Sequence, residues 1–341
     1  MFYHCGREFI SYLPQWRMAM FIFASGYFFQ EANIYNIGIY IRKKFKKLML
    51  PCYGWQLFYG IVISTFLWLG FVKFGSYLSI KNLIFDTILH GHQYVFPLAL
   101  WFVPILFFTQ VIYLIIKRIC CNYNISDYVL LILLVFLNIV SVELSFTDFN
   151  RIIYPNLFLP LSKVMFFMVF FHIGYLYRNK IEKFDNEFSC IKLIIPFLIN
   201  FAIVKCLHLN ISYIPSGMIF YNYSFLPLLT TLTGIYFYLH LSGGIILFLK
   251  NDKIYQLLKN VTFPIMIHHL FCFWVLNTLF WHLYLNDIII HNFDYNAYMS
   301  NIFYWPQFKF YYIMFAIVGI IGSLVIDYIY KQLKNKIIVN F

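Results

Sequence analysis

Charge is scarce in this sequence, and acidic charge most of all. Asp and Glu number 13 against 25 Lys and Arg, and the four types together make up 11% of 341 residues. A soluble domain carries about a quarter charged residues, so these cannot cover the surface of a soluble fold. That excludes a cytosolic enzyme and a disordered chain. The seven cysteines include no Cys-x-x-Cys pair and no Cys/His ligand spacing, which excludes a disulfide-stapled secreted module and speaks against a structural metal. No internal repeat, low-complexity linker or polar stretch long enough for a soluble domain interrupts the apolar runs. The opening Met1-Phe2-Tyr3-His4-Cys5 lacks the charged start and apolar core of a signal peptide.

Apolar residues fill the space: 62% hydrophobic and 23% aromatic, with a mean hydropathy of +0.75. A membrane span needs roughly 20 mostly apolar residues. Such runs occur at residues 11–29, 48–72, 98–116, 128–142, 156–176, 191–204, 224–249, 261–283 and 308–330, with those at 128 and 191 the shortest. The predicted fold is all-α: a polytopic integral membrane helix bundle of about nine spans, forming one domain over residues 1–341.

The net charge of +12 would suit nucleic acid if it were spread over one surface. It alternates between loops instead. One set of connections carries Arg42, Lys43, Lys44, Lys46 and Lys47, then Lys117 and Arg118, then Arg178, Lys180 and Lys183, then Lys250, Lys253 and Lys259, and last Lys331, Lys334 and Lys336. The intervening connections carry only Arg7, Lys73, Lys81, Arg151 and Lys205. By the positive-inside rule the first set is cytoplasmic, which puts the C-terminus inside and Met1 outside. The partner these cations imply is a lipid bilayer, and no nucleic acid is expected.

Two segments carry the densest pattern. Trp16-Arg17-Met18-Ala19-Met20-Phe21-Ile22-Phe23-Ala24-Ser25-Gly26-Tyr27-Phe28-Phe29 ends an apolar helix in Ser-Gly-Tyr-aromatic. Ile41-Arg42-Lys43-Lys44-Phe45-Lys46-Lys47-Leu48-Met49-Leu50-Pro51 is a basic segment leading into a helix that opens with proline. Leu100-Trp101-Phe102-Val103-Pro104, Phe171-His172-Ile173-Gly174-Tyr175-Leu176-Tyr177-Arg178 and Thr262-Phe263-Pro264-Ile265-Met266-Ile267-His268-His269 follow in order. Together these resemble the membrane-bound acyltransferase family 3, the surface-glycan O-acetyltransferases, and most closely their fucose 4-O-acetylase-like branch.

The resemblance implies several expectations. It implies a bundle of about ten spans in full form, with most of the first helix expected to lie ahead of Met1. It implies transfer of an acyl group, acetyl by default, from acetyl-CoA to a hydroxyl of a surface or capsular polysaccharide or its lipid-linked precursor. The site would lie in the inner membrane of a bacterium. Tyr3-His4-Cys5 matches the outer end of the family's first helix, where a His follows an Arg by about ten residues; that Arg has no counterpart here. Lys44 and Lys47 match the spacing of an Arg-x-x-Arg element tied to the acyl donor, and His269 matches a helix-start His.

The resemblance makes His4 the candidate general base, a role imidazole suits because it accepts a hydroxyl proton near neutral pH; on the residues alone it reads equally as a frayed terminal histidine. Arg42, Lys43, Lys44 and Lys47 are the candidate donor-binding cations, which suit the phosphates of acetyl-CoA but also serve topology and anionic lipid. Ser25 and Gly26 are candidates to line the donor path or simply to let helices approach. Arg17 lies within an apolar run and reads either as a substrate contact or as a snorkelling cation. Lys163 is expected to snorkel. Trp101 reads as a sugar-stacking or site-lining aromatic or as an interfacial belt residue, and His269 as site-lining or as a helix–helix polar contact. His90 and His92 form a His-x-His on an outward loop with only Asp86 beside them, so no metal site is expected.

Two other classes stay open. A polysaccharide flippase or polymerase is similarly aromatic and polytopic, but would carry large outward loops or cavity-lining arginines. A decayed, inactive acyltransferase would share every anchor.

Overall fold

The computed structural model describes residues 16–147, 158–185, 188–209, 211, 213–221, 225–248, 252–285, 293–306 and 311–339. Their helices include α1 (Trp16–Tyr27), α2 (Ile37–Trp68), α3 (Leu98–Asn122), α4 (Asp127–Phe146), α5 (Phe158–Asp185), α6 (Cys190–Lys205), α7 (Phe225–Phe248), α8 (Asp252–Leu285), α9 (Tyr295–Ser300) and α10 (Tyr311–Val339). One antiparallel hairpin, β1 (Tyr213–Ile214) and β2 (Ile219–Phe220), pairs Tyr213 with Phe220 and Ile214 with Ile219.

Seven helices among the described residues are long and apolar enough to cross a membrane: α2, α3, α4, α5, α7, α8 and α10. They coincide with seven of the expected runs. The run at 191–204 forms α6, of 16 residues, and the described part of the run at 11–29 forms α1, of 12. The chain is a multi-pass helical membrane protein.

The bundle is organised around α5. Its spanning window is 83% buried, whereas those of α2, α4 and α10 are 28%, 28% and 22% buried. In a bilayer the exposed faces of those outer helices meet lipid, so their apolar surface is expected. α1, α3 and α4 pack directly on α5, α6 pairs with α7, and α8 pairs with α10. Two apolar cores result. One joins α1, α3, α4, α5, α7 and the hairpin around Phe166, Phe167, Phe170 and Phe171. The other joins α2, α8, α9, α10 and the segment between α2 and α3 around Tyr59, Phe96, Phe273 and Phe315.

The α1–α5 crossing is set by two glycines. A Cβ on Gly26 would stand 1.9 Å from the Phe171 carbonyl oxygen, and one on Gly174 would stand 2.1 Å from that of Phe23. No other side chain permits the two backbones to touch this way.

Proline shapes α2. The ladder widens to a single π-turn at Phe45–Met49 before α-helix resumes at Leu50. Pro51 has no N–H to give to the carbonyl four residues back and its ring crowds that carbonyl, and an i→i+5 turn absorbs the mismatch. A second π-turn, Tyr177–Ile181, sits in α5.

The segment between α2 and α3, expected as an outward loop, is largely packed. Val72, Phe74, Tyr94 and Phe96 are buried, and the Phe96 ring meets Tyr59, Phe66, Phe271 and Trp274. The segment folds back into the bundle, where its backbone is enclosed by protein, the condition for irregular chain at membrane depth.

Candidate functional site

The cationic connections gather at one end of the bundle, here called the basic end. Lys117 at the end of α3 and Lys180 on α5 both pair with Asp127 at the start of α4, the second at 3.3 Å. His172 Nε2 donates to the Asp127 carbonyl oxygen at 2.9 Å, which leaves Nδ1 to accept from Tyr113 Oη, also at 2.9 Å. Lys117 lies 4.5 Å from the Tyr175 ring centre, and Tyr175 donates to Glu31. Arg178 donates to the Tyr27 carbonyl at 3.1 Å, while Tyr27 Oη donates to Glu182. On the α6–α7 side, Asp185 holds Lys192 at 2.6 Å, His240 at 3.0 Å and the hydroxyls of Tyr177 and Tyr236. Asp127 and Asp185, the two with cation partners, are met by several donors each, and Glu31 and Glu182 each accept from a tyrosine hydroxyl.

A cavity of about 640 Å³ opens at the same end between α2, α8 and α10. Pro51, Gly54, Trp55 and Phe58 of α2 form one wall, Phe263, Pro264, Ile267 and His268 of α8 a second, and Asp327, Tyr330 and Leu333 of α10 a third. Lys46 stands at its lip. At its inner wall His268 shares a 2.7 Å hydrogen bond between Nδ1 and Tyr59 Oη and lies edge-on to Trp55 at 4.5 Å. His268 Nε2 is buried with no hydrogen-bond partner. The Asp327 carboxylate at the cavity is tied to Lys331 at 2.6 Å. The lining is apolar with polar groups at mouth and inner wall, the composition of a small-molecule site.

The expected site residues fall in four places. Arg42, Lys43 and Lys47 are exposed in the same basic run, while Lys44 is half-buried, 5.2 Å from the Tyr40 ring centre. Lys46, two residues further along and so on another side of the helix, reaches the cavity. Ser25 and Gly26 lie where α1 meets α5, and Gly26 is filled by the Phe171 backbone. His269 faces the other way from His268: its Nδ1 meets the Ile265 carbonyl at 2.7 Å and its ring meets Phe273. One residue along a helix is a turn of about 100°, which separates the two histidines. His4 lies outside the described residues, as does the side chain of Arg17.

Trp101 is buried rather than interfacial, 6% exposed, at the end of the bundle away from the basic end. Lys163 does not snorkel: it is 1% exposed and its Nζ lies 4.9 Å from the Trp101 ring centre. His92 meets the same indole edge-on at 6.4 Å. Gly91 holds the segment there with φ +72°, and a Cβ on it would stand 2.5 Å from the Trp101 Cα. Burial and the neighbouring Lys163 cation push His92 down to about 4, and burial lowers His90 as well. Deeper in, Gln93 Nε2 donates to Thr87 Oγ1 at 2.8 Å and to the Asn82 carbonyl at 3.0 Å. Among the described residues no group of three His, Cys, Asp or Glu side chains is placed to hold a metal ion.

In sequence Lys46 reads only as one member of the basic cluster and His268 gives way to His269; the candidate that sequence reasoning missed is the pairing of Lys163 with His92 about Trp101. The signal for it was present, since a lysine inside an apolar run is costly unless something uses it.

No family model, curated protein or solved structure matches the chain significantly.

Proposed function

We propose that the chain is a membrane-bound O-acyltransferase of the family 3 type. It moves an acyl group, acetyl by resemblance, from acyl-CoA to a hydroxyl of a surface or capsular polysaccharide or its lipid-linked precursor. The basic end faces the cytoplasm of a bacterium, with the C-terminus on that side, and the full bundle has about nine spans here and about ten in the family.

One observation supports this most. Segments picked out by resemblance, distant in sequence, meet in space as pairs. Pro51, at the end of the basic segment, and Pro264–His268 line the same cavity. Gly26 and Gly174 form one crossing, closed by Arg178 on the Tyr27 carbonyl. The cavity suits the narrow, largely apolar pantetheine arm of the donor, and Lys46 at its lip, within the exposed basic run of Arg42, Lys43, Lys46 and Lys47, would meet the donor phosphates.

The chemistry is a balanced acyl transfer. The acceptor hydroxyl gives its proton to an imidazole, assigned to His4. The acyl group is handed through the bundle from the donor cavity to the outer end, where that oxygen bonds the acyl carbonyl; overall the thioester C–S bond breaks and CoA leaves as the thiol after taking up the proton. His268, at the inner wall of the donor cavity, positions the thioester end.

Changing Lys43, Lys46 and Lys47 together to alanine is expected to raise the KM for acetyl-CoA about tenfold at low salt with kcat nearly unchanged. Exposed charge contacts are each worth about 0.2–1 kcal/mol, and the difference should shrink above physiological ionic strength. Kinetics of purified protein, scored as thiol release, would read this; an unchanged KM removes the donor role of the patch. In cells, base-labile acetyl on surface glycan should vanish on deletion of the gene and return with the wild-type copy. Loss of the glycan itself would instead indicate a flippase or polymerase.

A further inference from the structure

Lys163 is the most deeply enclosed cation among the described residues, 1% exposed, and none of the ion pairs or hydrogen bonds found there involves its amine. An ammonium inside a span costs about 2.5 kcal/mol or more. Its one contact, over the Trp101 indole, returns only about 0.5–2 kcal/mol. Beside it, His92 Nε2 is buried with no partner, and its imidazole stays neutral at pH 7 because burial and Lys163 hold it down to about 4. Gly91 clamps this histidine onto Trp101. The other titratable groups near enough to act on His92 or His90 are Asp86 and Lys81, both on the same folded-back segment. The Lys163 amine and the His92 imidazole therefore converge on the Trp101 indole, and among the described residues no carboxylate pairs with Lys163.

We infer that Lys163, His92 and Trp101 form a binding site for the carboxylate of an acidic saccharide. One carboxylate oxygen takes Lys163 Nζ and the other takes the His92 Nε2–H, with the sugar ring against the indole. A carboxylate presents two oxygens from a single substituent, which matches an amine and an imidazole beside one indole. A phosphodiester needs room for two substituents. The site lies at the end of the bundle opposite the donor cavity. It rests on the acyltransferase reading only for the role of the sugar as acceptor; binding itself needs no transfer.

The test is ligand-dependent thermal unfolding of the full chain in detergent, without CoA, at constant ionic strength. D-glucuronate is expected to raise the Tm by about 2 °C or more in a saturable way, and D-glucose is expected to leave it unchanged. Lys163→Arg should keep the shift and Lys163→Met should lose it. If Lys163→Met does not accumulate, His92→Phe carries the test: it keeps the ring, removes the donor, and should weaken glucuronate binding at least about fivefold. A glucuronate response no larger than that of glucose, an equal response in Lys163→Met, or glycerophosphoglycerol outperforming glucuronate would each overturn the assignment. Intact glucuronate binding with no acyl transfer would sink only the enzymatic reading, and transfer without binding would sink only this one.

Discussion

Asp127→Ala is expected to destabilise the protein by about 3 kcal/mol, the largest loss of any single charged-group substitution at the basic end. The reason is the lysine it would abandon. The Lys117 side chain is 7% exposed and Asp127 is its only carboxylate among the described residues. Removing one partner of a buried pair costs about 3–5 kcal/mol, because the other charge stays desolvated and unanswered. The low end applies here, since Asp127 itself keeps 16% exposure and its second partner, Lys180, keeps 40%. A smaller share comes from the helix start: Asp127 lies in the first turn of α4, where a negative charge is favoured by the dipole. The Ser126 cap, which accepts from the Val129 N–H, and the His172 contact to the Asp127 backbone carbonyl remain in the variant. Lys117→Met should cost less, because Asp127 keeps Lys180. The double variant should recover part of the loss, with a coupling of 1 kcal/mol or more, about the scale of contacting pairs. Thermal unfolding of the four proteins in one detergent measures the cycle. Additive losses would mean that the pair contributes nothing.

The parts of the structure that the sequence made legible are those set by local chemistry. Span positions follow from run length, and seven of the runs became helices of spanning length. The alternation of cations between loops anticipated their collection at one end. What stayed hidden was pairing at a distance. Nothing local says that Asp127 answers both Lys117 and Lys180, or that Asp185 collects Lys192 and His240. Helix phase hid the rest. Lys44 and His269 match the resemblance by spacing, yet Lys46 and His268 reach the cavity, because a step of one or two residues along a helix decides which side chain faces inward. The segment around Tyr94 and Phe96 reads in sequence as an outward loop for want of a long apolar run. Its aromatic content was the available clue, and four buried residues there make it part of the core.

Gly174→Ala is expected to cost about 3 kcal/mol or more, at the upper edge of overpacking losses, and Gly26→Ala a similar amount. Each new Cβ would sit about 2 Å from a backbone carbonyl oxygen of the facing helix, at 1.9 Å for Gly26 and 2.1 Å for Gly174. A backbone cannot rotate aside as a long side chain can, so α1 and α5 must separate along the most buried helix of the bundle. The two glycines guard one crossing, so their effects should not add. Once the first Cβ has pushed the helices apart, the second meets part of the space already made, and the double variant should lose less than the sum. Separation also pulls Tyr27 from Arg178 and Glu182, which tie the same two helices one turn further on. Gly243 on α7 supplies the control, because a Cβ there meets nothing within 4 Å. Gly243→Ala should be neutral or should stabilise by up to about 1 kcal/mol through helix propensity alone. Thermal unfolding in a common detergent separates the cases. A Gly174→Ala protein that melts with the Gly243→Ala protein would show that the helices do not meet backbone to backbone, and full additivity would show that the two glycines do not share one contact.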